Sequence, residues 1–246
     1  GREIASVQEL KHEGFTDIIV AIGAWAHGRK ALKYGEEYDA LEFLEKVKAA
    51  PGSIDLGTDV VVIGGGNTAM DVARAAKIQP GVEHVRLVYR RDRRNMPADE
   101  EELVMAIEDG VEFMELLAPE GVENGVLKCE KNVLGEPDAS GRRSPVGTGE
   151  FCEVPATAVI CAVGERIKTG LYEAAGAEID GKGKPVVDEN LMTTVPGLYA
   201  AGDCRRGPAT VVKAIADAQT IAAAITGADF SKYAELDAKG DMEKLL

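Results

Sequence analysis

A glycine-rich segment at residues 64–69 has the residue types and the spacing that bind a pyrophosphate. Its sequence, Gly-Gly-Gly-Asn-Thr-Ala, fits the pattern G-x-G-x-x-A. In this pattern the first glycine permits a tight turn, the second lets the backbone approach a phosphate, and the small sixth residue permits close packing. A following helix adds free N–H groups and the positive end of its dipole. We therefore predict that a dinucleotide contacts Gly64, Gly65, Gly66, Asn67 and Thr68.

Two arginines further along the chain indicate which dinucleotide binds. Residues 85–89 alternate like a strand and are followed by Arg90 and Arg91. NAD sites usually have an acidic side chain at this point for the ribose 2′-hydroxyl, whereas an arginine accommodates the 2′-phosphate of NADP. The planar guanidinium also matches the geometry of a phosphate. Asp92 is the acidic rival, but it follows both arginines, so the residues favour NADP; a solvated basic turn is the alternative.

Strand and helix patterns surround both groups of residues. Asp59–Ile63 is a short apolar run rich in β-branched residues, as expected for a buried parallel strand. Asn67–Lys77 has apolar residues at helical spacing, so the glycine motif stands between a strand and a helix, where it is specific. We predict further strands at 15–24, 85–89, 112–117, 158–163 and 198–201, helices at 39–50, 98–109 and 209–226, and an antiparallel excursion of two strands within 125–157.

A second candidate site lies near the end of the chain, where the strand 198–201 leads into Gly202 and Asp203. The Asp203 carboxylate can accept hydrogen bonds from a sugar-like hydroxyl, and Gly202 lets a ligand come close. The start of the next helix, at Thr210 and Val211, offers N–H groups to an electron-rich ring. The alternative is a turn aspartate that only caps its own backbone.

A weak internal repeat adds one more candidate residue. Gly164 follows the apolar strand 158–163, just as Gly23 ends the apolar run of the strand 15–24. Two similar dinucleotide-binding domains would leave such a repeat. We therefore include Gly164 among the cofactor-binding residues.

Size and charge limit the class of protein. The chain has 246 residues, of which 45% are hydrophobic, which is enough for one or two cores. A formal charge of −14 argues against nucleic acid or an anionic membrane as the main partner. No apolar run approaches the roughly 20 residues of a membrane span, and no signal peptide opens the chain. The simplest interpretation is a cytoplasmic enzyme.

The cysteines and histidines predict neither a metal site nor a catalytic residue. None of the four cysteines forms a C-x-x-C motif, which disfavours a thiol–disulfide reductase and a zinc or iron–sulfur site. Cys161 lies in an apolar run and is predicted to be a core thiol, and Cys204 lies in a glycine-rich turn. The three histidines show no ligand spacing. We predict no catalytic side chain and no metal ligand.

Together these motifs resemble the pyridine-nucleotide half of the glutamate synthase small-subunit family. The likeness extends over nearly all of residues 16–226 and is specific through its motifs in combination. The NADPH-site motifs are 64–74, 88–92 and 95–98, and the second flavin motif is 200–203. Residues 96–103 and 162–165 resemble the selenate reductase branch of that family in particular.

The resemblance implies an NADPH-dependent flavoprotein with two dinucleotide-binding domains, related in fold to thioredoxin reductase. By this resemblance NADPH binds Gly64, Gly66, Asn67, Thr68, Arg90 and Arg91, while Asp203 holds the ribityl chain of FAD. The family begins its flavin domain with another glycine turn, and residues 1–26 match only the end of that first flavin half. We therefore expect a C-terminal fragment of a longer protein, whose iron–sulfur, amidotransferase or molybdenum-type redox partner lies elsewhere.

The predicted fold is α/β, with a Rossmann-like NADP-binding domain inserted in a partial FAD-binding domain. We predict an end of the FAD-binding domain at 1–28, a connection with one helix at 29–57, the NADP-binding domain at 58–164, a second FAD part at 165–228 and a charged tail at 229–246. The predicted function is hydride transfer from NADPH to FAD and on to a partner redox centre. The alternative is an NADP-binding module without turnover. Exposed apolar surface in the partial domain predicts dimerisation or mobile terminal segments.

Overall fold

The computed structural model describes residues 1–26, 28, 30–139 and 141–230, and the chain forms two compact units. The central unit consists of residues 27–165, and the flanking unit consists of residues 1–26 with the described residues from 166 onward. One unit is thus inserted in the sequence of the other, as predicted. Most of the predicted charged tail, from residue 231, lies outside the described residues.

The described residues form the following helices and strands, and helices alternate with strands from β2 to β5. The helices are α1 (Val7–His12), α2 (Ala40–Ala49), α3 (Asn67–Lys77), α4 (Glu100–Glu108), α5 (Gly170–Ala174), α6 (Asp203–Arg206) and α7 (Val211–Thr226). The strands are β1 (Ile18–Val20), β2 (Tyr38–Asp39), β3 (Asp59–Ile63), β4 (His84–Val88), β5 (Val111–Met114), β6 (Leu117–Glu123), β7 (Val126–Pro137), β8 (Arg143–Pro155), β9 (Ala158–Cys161) and β10 (Leu198–Ala200). A 3₁₀ turn covers Arg93–Asn95.

The central unit has a five-stranded parallel sheet in the order β2-β9-β3-β4-β5. Alternate residues of its strands face two separate cores, because side chains alternate along a strand. Val60 and Val62 of β3 pack with α2, α3 and α4 on one face. Val61 and Ile63 pack on the other face against β6, β7 and β8, which form an antiparallel sheet of their own. Both faces of the parallel sheet are therefore covered, which explains its continuous apolar strands.

The central strand–turn–helix has the predicted bounds. β3 and α3 span the residues predicted for them, and the predicted apolar stripe of α3 is fully buried. Its small residues let the helix lie close to the sheet. The buried stripe consists of Ala69, Met70, Val72, Ala73 and Ala76.

Two parts of the central unit differ from the prediction. The segment 29–57, predicted as a connection with one helix, contains that helix as α2, but it also contributes an unpredicted strand, β2, to the sheet. The antiparallel excursion has three strands rather than two, because β6 begins where the predicted strand 112–117 was expected to end. Pro119 and Gly121 in β6 are typical of a turn, but the register of β6 on β7 shifts between them, and proline is tolerated at such a bulge.

The flanking unit contains a two-stranded parallel sheet of β1 and β10. The strand predicted at 15–24 is only three residues long, since β1 pairs with the three residues of β10. α1 was not predicted, although Ser6 is a favourable N-cap residue and accepts a hydrogen bond from the backbone N–H of Glu9. Among the described residues, no helix is long and apolar enough to cross a membrane.

Candidate dinucleotide-binding site

The carboxyl ends of three parallel strands define the candidate site. The chain runs from β3 through α3 to β4, whereas β9 later returns on the opposite side of β3. The order of strands therefore reverses between β9 and β3. Ligands of open α/β sheets bind outside the carboxyl ends of the strands at such a switch point. The glycine turn follows β3, the arginine pair follows β4, and Gly164 follows β9.

The three glycines of the turn differ in their surroundings. A Cβ on Gly64 would lie 2.6 Å from the carbonyl oxygen of Ala162 and 2.9 Å from the Cβ of Ala69. A Cβ on Gly65 would lie 2.4 Å from the ring of Tyr89. Gly66 instead faces open space, with no atom within 4 Å of a Cβ placed there. The first two glycines therefore permit protein packing, and the third leaves room for a ligand.

The start of α3 is available to an anion. Gly66 is the N-cap residue, and no side chain caps the helix. The first N–H groups of a helix have no partner within it, and the helix dipole adds positive potential at this end. An uncapped helix of 11 residues next to open space is able to bind a phosphate group.

The side chains of Asn67 and Thr68 hold the turn to other parts of the central unit. Asn67 donates a hydrogen bond from Nδ2 to Oδ2 of Asp99 and accepts one from the Asp99 backbone N–H, both 2.9 Å long. The Thr68 hydroxyl donates to Oε1 of Glu165 at 2.6 Å. Both predicted residues therefore stand at the start of α3, and their side chains are engaged with protein groups.

The arginine pair has unused hydrogen-bonding capacity. Arg91 donates from Nε to the Tyr89 hydroxyl at 3.0 Å, and its guanidinium lies over the Tyr89 ring, 5.7 Å from the centroid. Within the described residues, the exposed Arg90 guanidinium makes no hydrogen bond or ion pair. Asp92, the rival acid, accepts hydrogen bonds from the backbone and side chain of Asn95 and so closes its own turn. The arrangement favours recognition of a phosphate over that of a ribose hydroxyl.

A loop joins the arginines to the glycine turn. The Tyr89 hydroxyl donates to the carbonyl of Asn95 at 2.8 Å, and the N–H of Ala98 donates to the carbonyl of Gly65 at 3.0 Å. An open pocket of about 380 Å³ lies along this loop, lined by Arg93, Arg94, Met96, Ala98, Glu100 and Leu103. The glycine turn and the basic residues thus form one connected surface.

Sequence reasoning missed three residues of this surface: Tyr89, Asp99 and Glu165. Tyr89 ends an alternating strand pattern, which could have suggested a side chain facing the turn. Asp99 precedes α4 and could have been read as its N-cap. Glu165 follows the candidate Gly164, but nothing in the local sequence indicates its contact with Thr68, 97 positions away.

The four candidates of the flanking unit lie around the start of α6 and α7. Gly202 has a φ of 66°, which favours glycine, and its N–H donates to the buried Asp217 at 2.8 Å. Asp203 accepts a hydrogen bond from the backbone N–H of Ala209 at 3.1 Å, the turn-capping geometry of the alternative interpretation. Thr210 is the N-cap of α7 without a side-chain cap, and the side chain of Val211 is 76% exposed. Sequence reasoning missed Asp217, which also binds Arg205 and Arg206.

The cysteines do not form a redox or metal centre in the described part of the chain. No two of them form a disulfide, and no group of three potential ligands comes together there. Burial raises the pKa of the Cys129 thiol to about 12 and that of Cys161 to about 11, so both stay protonated near neutral pH. Cys161 and Cys204 are buried, and Cys161 lies in the core strand β9, as predicted.

A parallel sheet with a glycine turn at its switch point defines a dinucleotide-binding α/β protein. The chain belongs to the pyridine nucleotide-disulphide oxidoreductase family, which it matches over residues 4–218. It is 39% identical over 223 residues to YgfK of Escherichia coli, which is named as an oxidoreductase. It is also 40% identical over 178 residues to the glutamate synthase [NADPH] small chain of the same organism. The resemblance predicted from the motifs is confirmed, because the glutamate synthase small chain is among the relatives of this chain.

These matches cover most of the chain but only part of the relatives. The first covers 89% of this chain and 22% of YgfK, and the second covers 68% of this chain and 38% of the small chain. Among solved structures, a mutant of FprA from Mycobacterium tuberculosis has a TM-score of 0.76 at 20% identity, covering 96% of this chain and 67% of FprA. FprA in complex with NADPH has a TM-score of 0.69, covering 95% and 70%. This likeness confirms the predicted fold.

Proposed function

We propose that this chain holds NADPH in a flavoprotein oxidoreductase, which passes a hydride from NADPH to FAD and electrons on to a partner redox centre. The observation that carries the proposal is the uncapped start of α3 next to two arginines at the switch point of a parallel sheet. The central unit is then the NADP-binding domain, and the flanking unit is part of an FAD-binding domain.

The residues of the central unit fit NADP group by group. The open space at Gly66 and the first N–H groups of α3 suit the pyrophosphate. Arg90 and Arg91 suit the 2′-phosphate, because Arg90 has no protein partner among the described residues and Arg91 has only a neutral one. The cofactors supply the hydride chemistry, while the chain binds and orients them. No side chain is assigned a catalytic role.

The flanking unit fits one half of an FAD site. One oxygen of Asp203 remains for a sugar-like hydroxyl after the hydrogen bond from Ala209. Gly202, Thr210 and Val211 leave the start of α7 exposed for a ring system. The described residues of this unit contain no G-x-G-x-x-G turn that could hold the FAD pyrophosphate. The alternative function, an NADP-binding module without turnover, is favoured by this half-site.

The relatives support a partner for electron transfer. One of them is named as the small chain of glutamate synthase, a name that implies a larger chain. We infer that this protein also transfers electrons to a separate redox subunit or domain, of the iron–sulfur, amidotransferase or molybdenum type. We propose a cytoplasmic location, since none of the four cysteines forms a disulfide, as is usual in a reducing compartment.

Flavin content and NADPH oxidation test this function. The 246-residue chain is expected to bind NADP(H) but less than stoichiometric FAD, because a half-site lacks the N–H contacts to the FAD pyrophosphate. A longer chain with one more glycine-turn unit upstream is expected to be yellow and to oxidise NADPH with an artificial acceptor. Stoichiometric FAD in the short chain would contradict the half-site argument. A yellow longer chain that does not oxidise NADPH would favour the binding module.

A further inference from the structure

Thr68 and Glu165 form a hydrogen bond at the switch point of the parallel sheet. Thr68 stands in the first turn of α3, and Glu165 follows Gly164 beyond the carboxyl end of β9. Their hydrogen bond is 2.6 Å long, and both residues are half-buried. Oε1 of Glu165 is the acceptor, and within the described residues Oε2 has no hydrogen-bond partner. A carboxylate is thus held at the switch point with one oxygen available.

The order of the strands gives the direction in which a dinucleotide crosses the site. The arginine pair for the 2′-phosphate follows β4, and the uncapped helix start for the pyrophosphate follows β3. Neighbouring strands lie about 4.8 Å apart, so a ligand that crosses their ends advances by about that distance from one strand to the next. β9 is the next strand beyond β3. The half of the dinucleotide beyond the pyrophosphate therefore extends to the end of β9, where Glu165 lies.

The chemistry of that half suits a carboxylate. The nicotinamide riboside carries two ribose hydroxyls and a carboxamide N–H group, all of which can donate hydrogen bonds. An ionised glutamate only accepts, and its free Oε2 suits such a donor. The adenosine half, bound near β4, lies on the other side of the pyrophosphate.

We propose that Glu165 binds the nicotinamide riboside of NADP(H), with Thr68 holding its carboxylate in place. This inference rests on the proposed NADP site. The Glu165 carboxylate repels the phosphates of the dinucleotide, so its charge and its hydrogen bond predict opposite effects on binding when the side chain is removed. By charge alone, removal of Glu165 strengthens the binding of an anionic dinucleotide. Loss of the hydrogen bond weakens binding instead.

Two ligands distinguish the nicotinamide contact from the rest of the site. NADP⁺ contains the nicotinamide riboside, and 2′,5′-ADP contains only the adenosine half with its phosphates. By calorimetry, Glu165→Ala is expected to weaken NADP⁺ binding about tenfold, the usual effect of losing a hydrogen bond to a charged group. The affinity for 2′,5′-ADP is expected to stay within about twofold, which also shows that the variant is folded.

Glu83→Ala provides the matched control. Glu83 is exposed and immediately precedes β4, at the amino ends of the parallel strands and so opposite the site at their carboxyl ends. Its removal therefore changes the charge equally without touching the site. Its affinity for both ligands is expected to equal that of the unmutated chain. Unchanged or tighter NADP⁺ binding by Glu165→Ala would overturn the inference, as would equal weakening of both ligands. Failure of the unmutated chain to bind 2′,5′-ADP would overturn the NADP site itself.

Discussion

Replacing both Arg90 and Arg91 with alanine is expected to weaken NADPH binding about a hundredfold and to change NADH binding little. Each charge-assisted hydrogen bond to a phosphate contributes about 1.5–3 kcal/mol, which is about tenfold or more in affinity per arginine. NADH lacks the 2′-phosphate and therefore loses only a general electrostatic attraction. The fold should tolerate the change, because in the described structure the Arg90 side chain makes no hydrogen bond or ion pair, and Arg91 interacts only with the Tyr89 hydroxyl and ring.

Calorimetry with the two nucleotides, together with the melting temperature, measures this effect. Arg74→Ala is the control, since it removes a positive charge from α3 and breaks an exposed ion pair with Asp109. It is expected to leave the ratio of NADPH to NADH affinity unchanged. An equal loss of NADPH and NADH affinity in the double variant would show that the arginines do not contact the 2′-phosphate.

Gly66→Asp is expected to abolish nucleotide binding, by roughly a hundredfold or more, without destabilising the protein. Gly66 has a φ of −99° and open space around its Cβ position, so any side chain fits there. Aspartate is a preferred N-cap, and its charge interacts favourably with the helix dipole, together worth a few tenths to about 1 kcal/mol of stability. The same carboxylate occupies the position proposed for the pyrophosphate and repels it.

Gly65→Ala provides the contrast, because its Cβ would lie 2.4 Å from the Tyr89 ring. Such crowding in a packed region costs about 1–3 kcal/mol, so this variant should have a lower melting temperature. Binding and thermal unfolding of the two variants then separate a blocked ligand site from a damaged turn. Gly66→Asp with unchanged NADPH affinity would place the pyrophosphate somewhere other than the start of α3.

The elements closest to the site could be predicted because their signals are local. The β-branched run of β3, the glycine spacing and the helical stripe of α3 lie within 19 consecutive residues, 59–77, and their bounds agree with the structure. The position of Arg90 and Arg91 after β4 depends only on where one strand ends. In each case a short-range pattern sufficed.

The contacts that complete the site could not be predicted, because they join distant residues. Asn67 and Asp99 are 32 positions apart, and Thr68 and Glu165 are 97 positions apart. The requirement for glycine at position 65 comes from the Tyr89 ring, so the standard explanation of the motif did not reveal it. β2, with two residues, exists only through its pairing with β9. Such features depend on tertiary packing, which single-sequence patterns do not encode.

The affinity of the unmutated chain for NADPH and for NADH tests the NADP site most directly. Calorimetry on the purified chain needs neither flavin nor a redox partner, since the glycine turn, α3 and both arginines belong to the central unit. We predict that NADPH binds at least about tenfold more tightly than NADH, because only NADPH offers a phosphate to Arg90 and Arg91. Equal affinities, or no binding of either nucleotide, would contradict this assignment.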